Sequence, residues 1–391
     1  MKDFIFKMPT RVIFGIGKAN DIGAICAEQG YKNVFVLTGP HIGKSELLVR
    51  VKSSIEGAGI ACDYYDKTAS DPTVELTDEV AGVVKAAGAD AVVALGGGSP
   101  IDLAKAVCML QTNEGSVRDY LFGGTKTVTN APIPLIAIPT TAGTGSEVTA
   151  ASVITDTSKN IKLSVTHESL IPKIALIDPS LHLGMPQLIT ASTGMDALTH
   201  AIECYVSLNA EPFSDAYALY AMRLIGENLR VAVADGSNLA ARTNMALAST
   251  IAGCAFLNGG LGVVHGIAQA MGGLHGTPHG IANGLILPYA MERNFVGNLA
   301  KFRDIAVALG KNVEGLSLRE AAYEAVEAVF DLVEDIHVPS SLKDLDIGPE
   351  DFPPIVEGTM NFRLLAINPC KLSAGDVEKI LLRAREGRYA L

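Results

Sequence analysis

Several features that would place a chain in a large functional class are scarce here. No Lys/Arg-rich run occurs, and the 391 residues carry a net charge of −11. Nucleic-acid binders present a basic patch to neutralise phosphates, so this balance argues against that class. No uninterrupted apolar stretch approaches the about 20 residues that span a bilayer. The opening Met-Lys-Asp-Phe-Ile-Phe-Lys lacks the apolar segment of a secretory leader. No membrane partner and a cytoplasmic location are therefore expected. Six cysteines, at 26, 62, 108, 204, 254 and 370, contain no CxxC. That pattern fits reduced thiols packed as small hydrophobes, not a disulfide framework or a zinc ribbon. No long Ser/Pro-rich or single-sign tract interrupts the chain, so disorder is not expected beyond the termini.

Glycine, in contrast, is plentiful: 39 residues, clustered near 96–98, 143–145, 259–266 and 272–280. Such clusters mark loops where backbone comes close to a ligand or a neighbouring helix. The hydrophobic pattern predicts strands at 11–14, 33–38, 61–65, 91–95 and 133–138. Helices are predicted between them at 42–58, 73–87 and from the Gly96 loop to 111. Strand alternating with helix implies parallel βαβ units. Short strands at 152–155, 161–165 and 174–177 predict a small antiparallel addition and the last strand of the sheet. From 186 onward the pattern turns helical, at 187–207, 213–230, 239–257, 262–273, 280–296, 298–309, 316–334 and 374–386. An α/β half followed by an all-α half predicts two domains, 1–182 and 183–391, with small-molecule chemistry between them.

Two glycine stretches imitate nucleotide motifs without completing them. Gly15-Ile-Gly17-Lys-Ala-Asn20 ends in Asn where the dinucleotide fingerprint needs Gly or Ala, and reads as a turn before a helix. In Gly39-Pro-His-Ile-Gly43-Lys44-Ser45 the spacing between the glycines is one residue too short for a Walker A loop. Gly96-Gly97-Gly98-Ser99-Pro100-Ile101-Asp102 is different. It leaves a strand and opens a helix, where free amides and the helix dipole attract phosphate; the alternative is a plain tight turn. Pro139-Thr140-Thr141-Ala-Gly-Thr144-Gly-Ser146-Glu-Val-Thr149 carries five hydroxyls, which could line a polar ligand or cap a helix through Thr144 or Ser146.

Asp196 and His200 stand at i and i+4 in a helical pattern, on one face and about one turn apart. His265 and His279 follow in Gly-rich surroundings. One Asp and three His would make an oxygen–nitrogen site for a divalent transition metal. The alternative is an ordinary helix with a solvated Asp and a packed His.

Together these residues resemble the iron-containing, or group III, alcohol dehydrogenase family. The likeness runs over nearly the whole chain. It begins at Phe6–Gly15 and passes through Gly96–Asp102, Pro139–Thr149, Thr193–Glu203 and His279–Asn283. It implies a Rossmann-like N-terminal domain with a parallel sheet and a helical C-terminal domain. It further implies Fe²⁺, with Zn²⁺ competing, held by Asp196, His200, His265 and His279. Gly96, Gly97, Gly98, Ser99, Pro100 and Asp102 match the pyrophosphate loop. Thr140, Thr141, Thr144, Thr149 and Lys162 match polar cofactor contacts, and Val153 and Leu181 match apolar ones. Asp71 sits where many members have Asn. The resemblance implies NAD(P)-linked hydride transfer between nicotinamide C4 and a small alcohol or aldehyde whose oxygen meets the metal. It also implies a homodimer.

Two departures bear on function. Gly39 ends the second strand where NAD-preferring members carry Asp, so nothing there repels the 2′-phosphate of NADP. Gln269 stands four residues after His265, where many members have a His implicated in proton handling. Gln cannot titrate, which leaves it an orienting role, and His275 becomes a candidate for the proton relay. Rival readings are a dehydroquinate-synthase-like lyase, a polyol-phosphate dehydrogenase, and a non-enzymatic binding protein. Few arginines accompany the Asp/His motif, which disfavours the two that need anionic substrates. Phe256, Leu257, Leu261 and Leu274 are candidates for an apolar substrate pocket or simply core.

Overall fold

The computed structural model describes residues 3–158 and 161–389 and divides the chain into two compact units. One comprises Met8–Thr141 and Gly145–His182; the other comprises Met1–Lys7, Ala142–Thr144 and Leu183–Leu391.

The first unit is built on eight strands: β1 (Arg11–Phe14), β2 (Asn33–Thr38), β3 (Ala61–Tyr65), β4 (Ala91–Gly96), β5 (Leu135–Pro139), β6 (Ala151–Asp156), β7 (Ile161–Thr166) and β8 (Ile174–Ile177). Its helices are α1 (Ile22–Glu28), α2 (Pro40–Gly43), α3 (Glu46–Gly57), α4 (Val74–Ala87) and α5 (Gly98–Leu110). Six strands form a sheet in the order β1-β8-β5-β4-β2-β3, every pair parallel. Central strands β4, β5 and β8 are buried along their whole length. That is why they read as continuous Val/Ile/Leu/Ala runs and not as alternation. Apolar clusters cover both faces, one around Val92, Ala94 and Val107, the other around Val93, Leu95 and Ile138. β6 and β7 pair antiparallel as a separate ribbon.

Between β2 and β4 the strand order reverses direction along the chain. Open α/β sheets bind ligands at such a point, beyond the strands' carboxyl ends. In register, Thr38 pairs with Leu95 and Gly96 with Pro139. Gly39, the Gly96–Gly98 turn and Thr140–Thr141 therefore emerge side by side at one edge of the sheet.

The second unit holds α6 (Gln187–Val206), α7 (Pro212–Ala234), α8 (Leu239–Gly259), α9 (Val263–His275), α10 (His279–Asn294), α11 (Leu299–Ala308), α12 (Leu318–Asp335), α13 (Phe352–Met360) and α14 (Ala374–Glu386). Helix α6 is buried almost all round and packs against α7, α8 and α10. A helix with no solvated face belongs in a core. Its buried Asp196, His200 and Glu203 therefore need partners within the protein. No single helix among the described residues is long and apolar enough to cross a membrane.

Three local expectations are corrected. The helix predicted over 42–58 is two helices, because Ser45 between them is extended (φ −99°, ψ 159°). The Ser/Thr-rich segment caps no long helix: Ser146–Val148 is a single 3₁₀ turn that starts from Gly145 in the left-handed region, with no side-chain cap. Helix α13 was not expected. Its start, Phe352-Pro353-Pro354, looks like a breaker, yet proline is tolerated in the first helical turn, where no amide partner is needed.

Candidate functional site

In the helical unit, the carboxylate of Asp196 is the point on which three imidazoles converge. Its Oδ1 lies 3.7 Å from His200 Nε2, 3.8 Å from His265 Nε2 and 3.7 Å from His279 Nε2. Donor atoms of Asp196, His265 and His279 all fall within 4.8 Å of one another. The three histidines come from three helices: His200 from α6, His265 from the first turn of α9, and His279 from the first residue of α10. His200 stacks on His265 with ring centroids 4.7 Å apart and on Phe256 with centroids 4.3 Å apart. Asp196, His200 and His265 are buried, so a solvated Asp is not what the structure shows; His279 keeps 44% of its side chain exposed.

The electrostatics of the cluster follow from burial against mutual attraction. Burial pushes His200 down to about 3, despite the pull of Asp196. Burial would also lower His265, but the nearby Asp196 carboxylate and the hydrogen bond with Glu203 outweigh it and hold the ring up at about 9. For Asp196, burial is outweighed by the nearby imidazoles, and its pKa is held well below the ordinary carboxylate range. The residues fit a divalent cation. A tetrahedral shell with donors at about 2.1 Å has edges of about 3.4 Å, close to the observed 3.7–3.8 Å. The Oδ1 of Asn283 is a buried oxygen with no hydrogen-bond partner among the described residues. Its Nδ2 donates to Asp196 Oδ1 at 2.7 Å and lies 3.1 Å from His279 Nε2 and 3.3 Å from His265 Nε2.

Two neighbours of this cluster went unassigned at the level of sequence. Glu203 places its Oε2 2.7 Å from His265 Nδ1, and Asn283 supplies the amide just described. Glu203 stands seven residues after Asp196, on the same helical face, which was the available signal. Asn283 had only its i+4 spacing from His279. Gln269 lies one turn beyond His265 on α9 and is half-buried. His275 ends that helix and pairs with Asp351, Nε2 to Oδ1 3.7 Å. Ten residues of helix put it about 15 Å along the axis from His265. Of the apolar candidates, Phe256 touches the cluster, Leu261 is buried, Leu257 is half-buried, and Leu274 is 47% exposed.

In the α/β unit, α5 opens at the sheet edge with Gly97 as its cap residue and no capping side chain. Its first amides therefore have no capping side chain, as an anion site requires. Close packing explains two of the glycines: a Cβ on Gly96 would lie 2.7 Å from Pro100 Cγ, and one on Gly97 3.1 Å from Thr141 Oγ1. Thr140 donates its amide to the Gly96 carbonyl at 3.0 Å. Asp102 takes internal partners: it accepts from the Ser146 hydroxyl and, at 3.0 Å, from the Val153 amide. Lys105, fully buried, donates to Ser146 Oγ at 2.8 Å, the Ala151 carbonyl at 2.8 Å and Thr149 Oγ1 at 3.4 Å. Ser99 Oγ accepts the Asp71 amide at 3.3 Å. Asp71, at φ +53°, pairs its carboxylate with Lys162 at 2.7 Å. Leu181 packs against the core beneath the sheet. Thr144, half-buried, belongs to the other unit.

The chain is similar to known proteins over nearly its whole length. Residues 9–179 match the family described as "Iron-containing alcohol dehydrogenase", and residues 190–385 match "Fe-containing alcohol dehydrogenase family, C-terminal". The chain is 38% identical to 1,3-propanediol dehydrogenase of Klebsiella pneumoniae over 97% of its own length and 98% of the relative's. It is 36% identical to lactaldehyde reductase of Escherichia coli (strain K12), over 94% and 96%. A crystal structure of 1,3-propanediol oxidoreductase superposes with a TM-score of 0.95 at 38% identity, covering 98% of this chain and 100% of that one. Sulfoacetaldehyde reductase from Bifidobacterium kashiwanohense, in complex with NAD⁺, gives a TM-score of 0.90 at 30% identity, with 98% of each chain covered. The chain belongs to the iron-containing alcohol dehydrogenase family.

Proposed function

We propose that the protein is a metal-dependent NAD(P) alcohol dehydrogenase that also reduces aldehydes. The observation that carries this is the convergence of three imidazole Nε2 atoms on one carboxylate oxygen of Asp196. Asp196, His200, His265 and His279 would hold the cation. A divalent ion there supplies Lewis acidity toward the substrate oxygen, and a nicotinamide supplies the hydride chemistry. Fe²⁺ is the ion the family name suggests; Zn²⁺ suits the same donors and binds more tightly in general. The names of the relatives support a small alcohol, diol or aldehyde as substrate.

The remaining steps belong to the protein. The amides at the start of α5 bind the cofactor's diphosphate, with Gly96, Gly97, Gly98, Ser99 and Pro100 shaping the loop. Asp71, Thr140, Thr141, Thr144, Thr149, Val153, Lys162 and Leu181 contribute further cofactor contacts, and Asp102 stiffens the loop from within. Gly39 leaves room for a 2′-phosphate, so NADP(H) is accepted. Phe256 shields His200 from water. Gln269 orients substrate or a water, and His275 is the titratable group assigned to the proton relay. The domain division we propose is 1–182 for cofactor and 183–391 for metal. The enzyme works in the cytoplasm as a homodimer.

The test is anaerobic consumption of NADPH and NADH with a panel of short aldehydes, using Fe²⁺-loaded protein. Metal-dependent turnover is expected. His265→Ala should lose both bound metal and turnover while the α/β unit stays folded. A fully active, metal-free H265A protein would contradict the assignment. Bound metal and cofactor without turnover of any aldehyde would favour a lyase acting on more charged substrates.

A further inference from the structure

The side chain of Glu203 has a place prepared for it. It follows Asp196 and His200 on α6 at i+7 and i+3, and its own side chain is 5% exposed. One oxygen, Oε1, accepts the Val264 amide at 2.7 Å. The other, Oε2, lies 2.7 Å from His265 Nδ1 and accepts the His265 amide at 3.4 Å. Helix α9 has no cap of its own, because its cap residue is Gly262. That glycine makes room: a Cβ there would come 2.9 Å from Glu203 Oε1 and 2.8 Å from Asn368 Oδ1. One carboxylate from α6 thus caps α9 and holds the ring of its histidine.

Resting on the reading of Asp196, His200, His265 and His279 as cation donors, we propose that Glu203 is the positioning residue of that set. It takes the Nδ1 proton of His265 in a hydrogen bond and so leaves Nε2, which faces Asp196, as the nitrogen that binds a cation. Its charge joins that of Asp196 to offset the two charges of a buried divalent ion.

The argument is one of donor counting. Two backbone N–H groups and the imidazole Nδ1 meet two oxygens. An ionised carboxylate accepts on both oxygens and donates on neither. Glutamine cannot replace it. If its NH₂ faces Val264, two donors meet. If it faces His265, Nδ1 must accept, which moves the ring proton to Nε2. That nitrogen then donates and cannot bind a cation. Charge points the same way. Asp196 alone would leave a buried divalent ion with one uncompensated positive charge, whereas Asp196 and Glu203 together balance it. Outer partners that fix a ligating imidazole are worth about 10–100-fold in metal affinity.

The experiment uses the full chain, stripped of metal and titrated with Co²⁺, read by visible absorption, with affinity set by chelator competition. Wild type is expected to bind one Co²⁺, and Glu203→Gln to bind it about 10–100-fold more weakly. If wild type binds no Co²⁺, the donor set itself is wrong and this proposal falls with it. If wild type binds and E203Q binds equally well, the role of Glu203 is overturned and the donor set stands. A purely structural role would lower the Tm of the metal-free variant and leave the affinity of folded protein unchanged, which also overturns the proposal. Should E203Q fail to fold, wild type loaded with Zn²⁺ and labelled with ¹⁵N-histidine gives a second reading. His265, assigned through contacts to Val264, should show a slowly exchanging Nδ1–H. A proton found on its Nε2 would refute the assignment.

Discussion

On the proposed reading, a single missing side chain, at Gly39, bears on the choice of cofactor. Gly39 follows β2 at the sheet edge with φ −90° and ψ 168°, a conformation open to any residue. A Cβ there would approach only the Thr68 carbonyl, at 3.2 Å. Backbone geometry does not require glycine, so its effect on the ligand is the reason to study it. Gly39→Asp should fold normally, with a few tenths of an ångström of adjustment at Thr68. A carboxylate at that point would repel a 2′-phosphate. Two like charges at the protein surface cost about 1.4 kcal/mol or more, roughly tenfold. We expect kcat/KM for NADPH to fall by that factor relative to NADH. An unchanged cofactor ratio in steady-state kinetics would mean that another residue selects. His275 is a simpler case. Its partner Asp351 gives it a local role, so His275→Asn separates the possibilities: a relay residue moves the pH–rate profile, and a packing residue does not.

At the scale of elements, α5 and the segment after β5 act as one piece because Lys105 joins them. Its ammonium is wholly enclosed, and burial, the largest influence, lowers its pKa against the attraction of Asp102 and Glu147. Asp102 lies 3.6 Å away and retains 15% exposure. Removing one partner of a buried ion pair costs about 3–5 kcal/mol; the partial exposure of Asp102 brings the expectation for Lys105→Met to about 2–4 kcal/mol. The same change should loosen the Gly96 turn against Ser146 and Thr149. KM for the nicotinamide cofactor is expected to rise several-fold while metal content is unaltered. Urea unfolding and metal analysis on one preparation check both. A variant with wild-type stability and KM would show that the Lys105 network is dispensable. In the other unit, α6 presents Asp196, His200 and Glu203 along one face, and packing of α9 and α10 against neighbouring helices brings in His265 and His279.

For the whole molecule, pH acts through carboxylates held below their ordinary range. Asp376 falls from 3.8 to about 2, through the amide and hydroxyl of Ser373 and then Arg293. Asp156 is lowered by Ser158 and, secondarily, by Arg118. A group depressed in the folded state adds stability that is fully present above its unfolded pKa and is lost as pH falls through the folded value. The Tm should therefore be insensitive to these groups above pH 5 and decline between about pH 4 and pH 2. Asp376→Asn should lower Tm at pH 6, with the deficit shrinking toward pH 2. A deficit that is constant with pH would assign the effect to packing instead of charge. On the proposed reading a divalent cation also acts at this scale: a ligand at 100 times its Kd stabilises by about 2.7 kcal/mol, so the cation should raise the Tm of wild type and leave that of H265A unchanged.

The sequence by itself determined the order of strands and helices, because period-2 and period-3.6 patterns are local and survive without tertiary context. It also displayed the Gly96 turn and the Asp196/His200 pair, whose members are neighbours in the chain. Where local signals conflicted it misled: the prolines at 353 and 354 concealed α13, and the hydroxyls at 144 and 146 imitated a helix cap. Only the tertiary structure decided what spans long separations. Ser146 turned out to serve Asp102, 44 residues earlier, and Glu203 to serve His265, 62 residues later. A buried charge must find its partner wherever folding delivers one, and no spacing rule records that distance. The same holds for the meeting of His200, His265 and His279 on Asp196. The residue types announced the chemistry, but only the packing of α10 against α6 and of α9 against α10 brings their donor atoms within a few ångströms of one another.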